Sequence, residues 1–166
     1  MSETANPTVT VTTKRLPAVH LAVVSGLSPS FASSDIGPAI QPLYPRLLDA
    51  LSAAGVEMTG PPIAYYDDAP DGGIAVHAGF AIDSSVTSVP GLEVVDLPEI
   101  ELAATAIHNG NMATVDVDTI VPMLDWVSEH GFRTTSYSRE LYLTCPDDLS
   151  HWRTEIQFPI EVAPDA

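Results

Sequence analysis

Three features of this sequence predict an α+β fold made of two pseudo-symmetric βαββ units. A strand, an amphipathic helix and a hairpin follow one another twice along the chain. Apolar residues alternate or run in short β-rich stretches in some segments and recur at helical spacing in two others, and glycine and proline clusters punctuate the change from one to the next. Two such units joined edge to edge give a mostly antiparallel sheet with two helices, and their junction is a natural place for a ligand cleft.

The elements follow in order. TVTVT at 8–12 alternates, and VHLAVV at 19–24 is apolar and β-rich, so both read as strands. Asp35 is placed to cap a helix in which Ile36, Ile40, Leu43, Leu47, Leu51 and Ala54 recur at helical spacing until Gly55. Pro38, Pro42 and Pro45 each remove a backbone donor, which predicts irregular first turns and a clean helix only from about Pro45. PPIAYYDD at 61–68 and IAVHAGFAI at 74–82 flank Pro70-Asp71-Gly72-Gly73 and read as a hairpin. LEVVDL and IELAATAIH, split by Pro98, open the second unit. Val117, Ile120, Val121, Leu124 and Val127 form its helical stripe, which ends at Gly131, and SYSRELYLT and RTEIQFPIEV form its hairpin.

The repeat has a register. Aligning PIAYY at 62–66 with SRELY at 138–142 sets Tyr66 on Tyr142 and Ala64 on Glu140. A carboxylate therefore stands in an aromatic strand, at the position where the first unit carries a small apolar residue.

The 166 residues are enough to bury a core as a single domain, with polar tails expected at 1–7 and 163–166. Twenty-two acidic residues against six basic ones leave a net charge of -16. A field of that sign repels phosphate backbones and anionic lipid and favours cationic partners, so direct nucleic-acid and membrane binding are not expected. Cys145 is the single cysteine, which excludes an internal disulfide and a CxxC motif. The N-terminus lacks the pattern of a signal peptide and no apolar run approaches the ~18 residues of a membrane span, so a cytoplasmic location is the expectation. His20, His77, His108, His130 and His151 include no i, i+4 pair, and neither a metal nor a cofactor is expected.

KRLPAVHLAVVSG, GPPIAYYDD, LPEIELAATAIHNG, LDWVSEHGF, SRELYL and RTEIQFPIEV occur in an order that resembles the GyrI-like small-molecule-binding domain, the effector-binding domain of AraC-type and related multidrug-responsive regulators. The resemblance spans roughly residues 9–162. It implies two βαββ units about a pseudo-twofold axis with a pocket between them. It also implies that an acidic residue in the strand matching SRELYL, here Glu140, lies at the pocket base among aromatic side chains. No helix-turn-helix segment is read beside the domain, so the expectation is not a DNA-binding regulator by itself.

Alternation along the strand puts Ser138, Glu140, Tyr142 and Thr144 on one face. A carboxylate on a partly buried aromatic face is costly unless a hydrogen bond, a counter-charge or a ligand cation compensates it, with Arg139 or Arg153 as alternative partners. Tyr66, Tyr142 and Trp152 are the candidate aromatic walls, since aromatic faces attract cations and stack planar ligands without demanding one shape. Phe80 in the strand 74–82 joins the candidate lining. His108 falls at the loop that the resemblance places near the pocket, Trp126 reads as packing, and His130 as a cation at a helix C-terminus.

The function expected first is binding of hydrophobic, cationic aromatic small molecules for sequestration or sensing. The first alternative is a hydrolase, because some stand-alone GyrI-like relatives are reported to open strained rings of cytotoxic natural products; Glu140 would act as general base and Tyr142 as proton donor. No GxSxG elbow, Walker loop or GxGxxG supports another chemistry, and binding without turnover is favoured. The second alternative is an acidic protein–protein inhibitor whose charge imitates DNA and engages a basic enzyme such as a topoisomerase.

Overall fold

The computed structural model describes residues 9–164. Residues 1–7 and the last two of the C-terminal tail lie outside the described residues. The chain runs β1 (Thr12–Leu16), β2 (Val19–Ser28), α1 (Ser33–Ile40), α2 (Leu43–Ala54), β3 (Met58–Asp68), β4 (Ile74–Ile82), β5 (Glu93–Leu97) and β6 (Ile100–Asn109). After a 3₁₀ turn (Met112–Thr114) and a π-helical turn (Asp116–Ile120) come α3 (Val121–Glu129), β7 (Phe132–Thr134), β8 (Arg139–Thr144) and β9 (Arg153–Val162).

All strand pairs are antiparallel, in the order β1-β6-β9-β8-β3-β4-β2-β5, with β7 beside the end of β9. The order reads the same from both ends: β2, β4 and β3 of the first unit match β6, β9 and β8 of the second. At the junction, Ala64 is the register partner of Glu140 and Ile63 of Leu141. The two positions that sequence alignment of the repeats made equivalent thus face each other, and the pseudo-twofold axis passes between them. Each unit also lends its leading strand to the other: β1, which precedes the first unit, pairs with β6, and β5, which precedes the second, pairs with β2.

Alternation along the strands sends one set of side chains to a single helix-covered face. There, Ala22, Val76, Ala78 and Phe80 pack under α1 and α2 with Leu47 and Leu51, and Ala104, Ala106, Ile156 and Phe158 pack under α3 with Met123 and Val127. Leu21, Val23 and Ile63 form a smaller cluster on the opposite face. Two helical layers on one face, over a junction only two register pairs long, leave a gap between them.

Three local expectations are corrected. Of the strand read at 8–12, Thr8 lies outside the described residues, and β1 begins at Thr12: Val9 and Val11 are half-buried against the core under α3 and do not pair along β6. The first helix is regular well before Pro45. It forms from Ser33 through Pro38 and breaks only at Gln41-Pro42, and Pro45 sits in the first turn of α2, where its missing donor had no intrahelical partner. Finally, the stripe of the second unit is displaced in phase. Val117 is 75% exposed and Val121 52% exposed, while Val115, Ile120, Met123 and Val127 are buried. The π-helical turn at 116–120 carries an extra residue per turn, which rotates everything before α3 relative to an ideal helix.

Candidate functional site

The gap between the helical layers is a cleft of about 530 Å³. Pro62, Phe80, Glu140 and Tyr142 of the sheet form its base, Ile36, Ile40 and Tyr44 form one wall, and Met112, Val115 and Ile120 the other. Trp152 and Phe31 stand at its sides. The volume lies in the range that takes drug-sized ligands.

Glu140 is at the centre of the base because β8 alternates, and the even positions of that strand face the helices. It is only 5% exposed. Tyr66 donates its hydroxyl to Oε1 at 2.8 Å, and Tyr142 donates to the same oxygen at 2.6 Å. Among the described residues no group donates to Oε2, and no basic side chain pairs with the carboxylate. Burial pushes the Glu140 carboxyl above its ordinary range; the two tyrosine hydroxyls pull it back down, and the charge of Asp116 adds to the upward push. Burial, and then the Glu140 charge, push Tyr66, Tyr142 and Tyr44 well above the ordinary phenol range, so all three stay protonated as donors.

The aromatic side chains brace one another. Phe31 meets Tyr66 edge-on at 5.2 Å, Tyr44 meets Phe80 and Tyr142 edge-on at 6.1 and 6.0 Å, and Trp152 lies against Tyr142 at 6.1 Å. Tyr44 is anchored by donation to the Ile63 carbonyl, and the Trp152 indole by donation to the Pro146 carbonyl. Edge-to-face packing of this kind fixes ring orientations beyond what burial alone would do.

Of the residues singled out in the sequence, Glu140, Tyr142, Phe80 and Trp152 line the cleft, and Tyr66 stands behind Glu140 as its hydrogen-bond donor. His108 is elsewhere. It is buried, with Nδ1 at 2.7 Å from Thr119 Oγ1 and Nε2 at 2.9 Å from the Asn111 carbonyl, so it ties the 110–114 loop to the π-helical turn instead of entering the cleft. Trp126 stacks on His130, whose Nδ1 lies 2.8 Å from the Trp126 carbonyl at the end of α3. Arg139 points away from Glu140, toward the Pro98 carbonyl.

Sequence reasoning missed Tyr44, Phe31 and Asp116. Tyr44 was accessible to it: Ile40, Tyr44 and Leu48 share helical spacing and one face. Asp116 was not, since its direction depends on the π-helical turn. Its Oδ2 accepts from the Ser33 backbone N–H at 2.9 Å, and the Ser33 hydroxyl donates to the Ala113 carbonyl at 3.3 Å, so the second unit grips the start of α1 across the cleft.

Among the described residues no set of three histidine, cysteine or carboxylate side chains is placed to hold a metal, and no helix is long and apolar enough to cross a membrane. A separate polar row, Ser25–His77–Asp67, has the His77 nitrogens 2.6 and 2.9 Å from serine and carboxylate oxygens, but stands on the opposite, uncovered face of the sheet.

An aromatic cleft on the axis between two βαββ units, with a single buried acid at its base, marks a small-molecule-binding class of protein. The sequence profile of the GyrI-like small molecule binding domain matches residues 10–161, and the chain belongs to that family. Among solved structures it is similar to the C-terminal domain of EcmrR, at 24% identity and a TM-score of 0.74, over 93% of this chain and 99% of that one. SAV2435 bound to tetraphenylphosphonium is similar over 92% of this chain and 94% of that one, at 12% identity and a TM-score of 0.67. A hydrolase from Listeria innocua is similar over 91% of each chain, at 14% identity and a TM-score of 0.60. At these identities the likeness is one of fold. Comparison with curated protein sequences finds no match.

Proposed function

We propose that this protein binds hydrophobic aromatic cations in the cleft and acts by sequestering or sensing them. The observation that carries the reading is Glu140: a carboxylate 5% exposed, with both protein donors on one oxygen and the other oxygen without a protein donor, at the base of an aromatic cleft. Burying a charge in that way is costly unless something positive shares the site. The rings of Tyr142, Tyr44 and Trp152 supply surfaces that attract cations and tolerate varied outlines. The tetraphenylphosphonium in SAV2435 is a ligand of this chemical kind in a similar fold.

The test is a titration of wild type and Glu140→Gln with a fluorescent aromatic cation and a neutral analogue of similar shape, at low and high salt. Glutamine keeps the size and removes the charge. Losing a charge-assisted contact in a buried site weakens cation binding about tenfold to a hundredfold and leaves the neutral ligand within a few-fold. Equal binding of the cation by both proteins would overturn the reading.

Ring-opening hydrolysis is a second reading of the same residues, favoured by one contact: the Tyr142 hydroxyl is 2.6 Å from Glu140, close enough for proton transfer between them once a substrate engages either group. Product accumulating beyond one equivalent of protein distinguishes turnover from binding.

A further inference from the structure

We infer that Asp116 is a second anionic contact in the cleft and tunes it toward ligands that carry two positive centres. This rests on reading the cleft as a cation site and specifies which cations it prefers.

Glu140 and Asp116 are the only ionisable carboxylates among the described residues lining the cleft, and no lysine, arginine or histidine lines it with them. They occupy different places. Glu140 is buried in the sheet at the base, whereas Asp116 is half-buried on the helical side, where the 110–116 segment meets α1. Aromatic and aliphatic side chains, among them Tyr44, Met112, Val115 and Trp152, fill the lining around them. An apolar spacer with a positive group at each end matches that pattern: one head against Glu140 Oε2, the spacer along the apolar lining, the other head near Asp116.

Asp116 has an oxygen to give. Oδ2 is engaged by the Ser33 N–H, and among the described residues no donor engages Oδ1. The π-helical turn that starts at Asp116 is the local irregularity that brings this carboxylate toward the cleft and turns Val117 out to solvent. Irregular turns of this type recur at functional sites because a regular helix cannot present the same side chain.

The experiment compares a decamethylene bis-quinolinium with its N-decyl monoquinolinium half, each titrated against wild type, Asp116→Asn and Glu140→Gln. Asparagine retains an oxygen to accept from Ser33 N–H, so the variant removes charge without removing the hydrogen bond that steadies α1; Asp116→Ser is the second variant should asparagine impair folding. Wild type is expected to prefer the bis-cation, Asp116→Asn to weaken the bis-cation about fivefold while leaving the mono-cation within about twofold, and Glu140→Gln to weaken both. A bis-cation affinity unchanged in Asp116→Asn, or both ligands weakened alike, overturns the inference while Glu140-dependent binding of the mono-cation leaves the cation site standing. A mono-cation that binds Glu140→Gln as well as wild type overturns the cation site and this inference with it.

Discussion

Tyr66, from the first repeat, donates its hydroxyl to Oε1 of Glu140, from the second, at 2.8 Å, and does so across the junction where the two repeats meet. The second repeat brings the acid and one donor, Tyr142, and the first repeat adds a second donor that helps keep the acid ionisable.

That bond makes the pH dependence of binding testable. On the proposed reading of the cleft as a cation site, protonated Glu140 cannot pair with a cation, and affinity for an aromatic cation is expected to fall as pH drops through the raised Glu140 pKa. Tyr66→Phe removes a bond to the ionised form and shifts the midpoint of that fall to higher pH. Tyr142→Phe does the same, and binding titrations over a pH series read the shift.

Without ligand, the same carboxylate weakens the fold at neutral pH. Its pKa is raised in the folded protein above an ordinary value of 4.5, so the folded state holds the proton more tightly than the unfolded one. The stability contributed by Glu140 is therefore fully present below 4.5 and is lost as pH rises through the folded-state pKa. Asp83 and Asp148, whose carboxyls are held low by hydrogen bonds from Ser85 and Ser150, change stability with pH in the opposite direction, so the informative quantity is the difference between wild type and Glu140→Gln. Urea unfolding at several pH values should show glutamine gaining on wild type as pH rises, and the gap shrinking when a saturating aromatic cation is present.

The two cores should answer truncation together. Leu47 and Met123 are each completely buried, one under each helical layer. Leu47→Ala and Met123→Ala should each cost about 2–5 kcal/mol. In a chain of this length that lowers the melting temperature by roughly 5–15 °C. Calorimetry should show one shifted transition in each case, since the sheet that carries both cores is continuous.

Gly73 sits in the first hairpin turn with no unusual backbone angle, yet an added Cβ would stand 2.8 Å from the Ser28 carbonyl oxygen. Gly73→Ala is expected to destabilise by about 1–3 kcal/mol, because backbone rather than a side chain must move. Gly72, at φ +95 with open space around it, would be strained for a different reason. Chemical denaturation of Gly73→Ala is the check.

Most of the architecture was legible because its signals are local. Alternation marked the strands, the Pro70–Gly73 turn marked the first hairpin, and the order of elements exposed the repeat whose alignment made Ala64 and Glu140 equivalent, positions that the structure pairs across the junction. Glu140 itself was conspicuous as an acid at a position where its counterpart is alanine. What escaped depended on geometry that side-chain type does not encode. The π-helical turn displaced the stripe through Val117 and hid the inward direction of Asp116. His108 looked like lining by its loop position, but Thr119 and the Asn111 carbonyl satisfy both its nitrogens away from the cleft. The helix through Pro38 survived a residue that composition alone counts as a breaker, because the true break falls where Pro42 cannot continue it.

The exchange of leading strands has a consequence for how the chain folds and how it can be cut. Because β1 belongs in sequence to the first repeat and in space to the second, and β5 the reverse, neither half is a complete sheet without a loan from the other. Thr12 must find Thr105 across 93 positions before the sheet is complete, so its completion is long-range and shared by both halves. A nick between β4 and β5 should leave two fragments that are each incompetent alone but complementary on mixing, each carrying the strand its counterpart needs. Two pseudo-symmetric halves interlocked this way cannot be divided without each losing an edge.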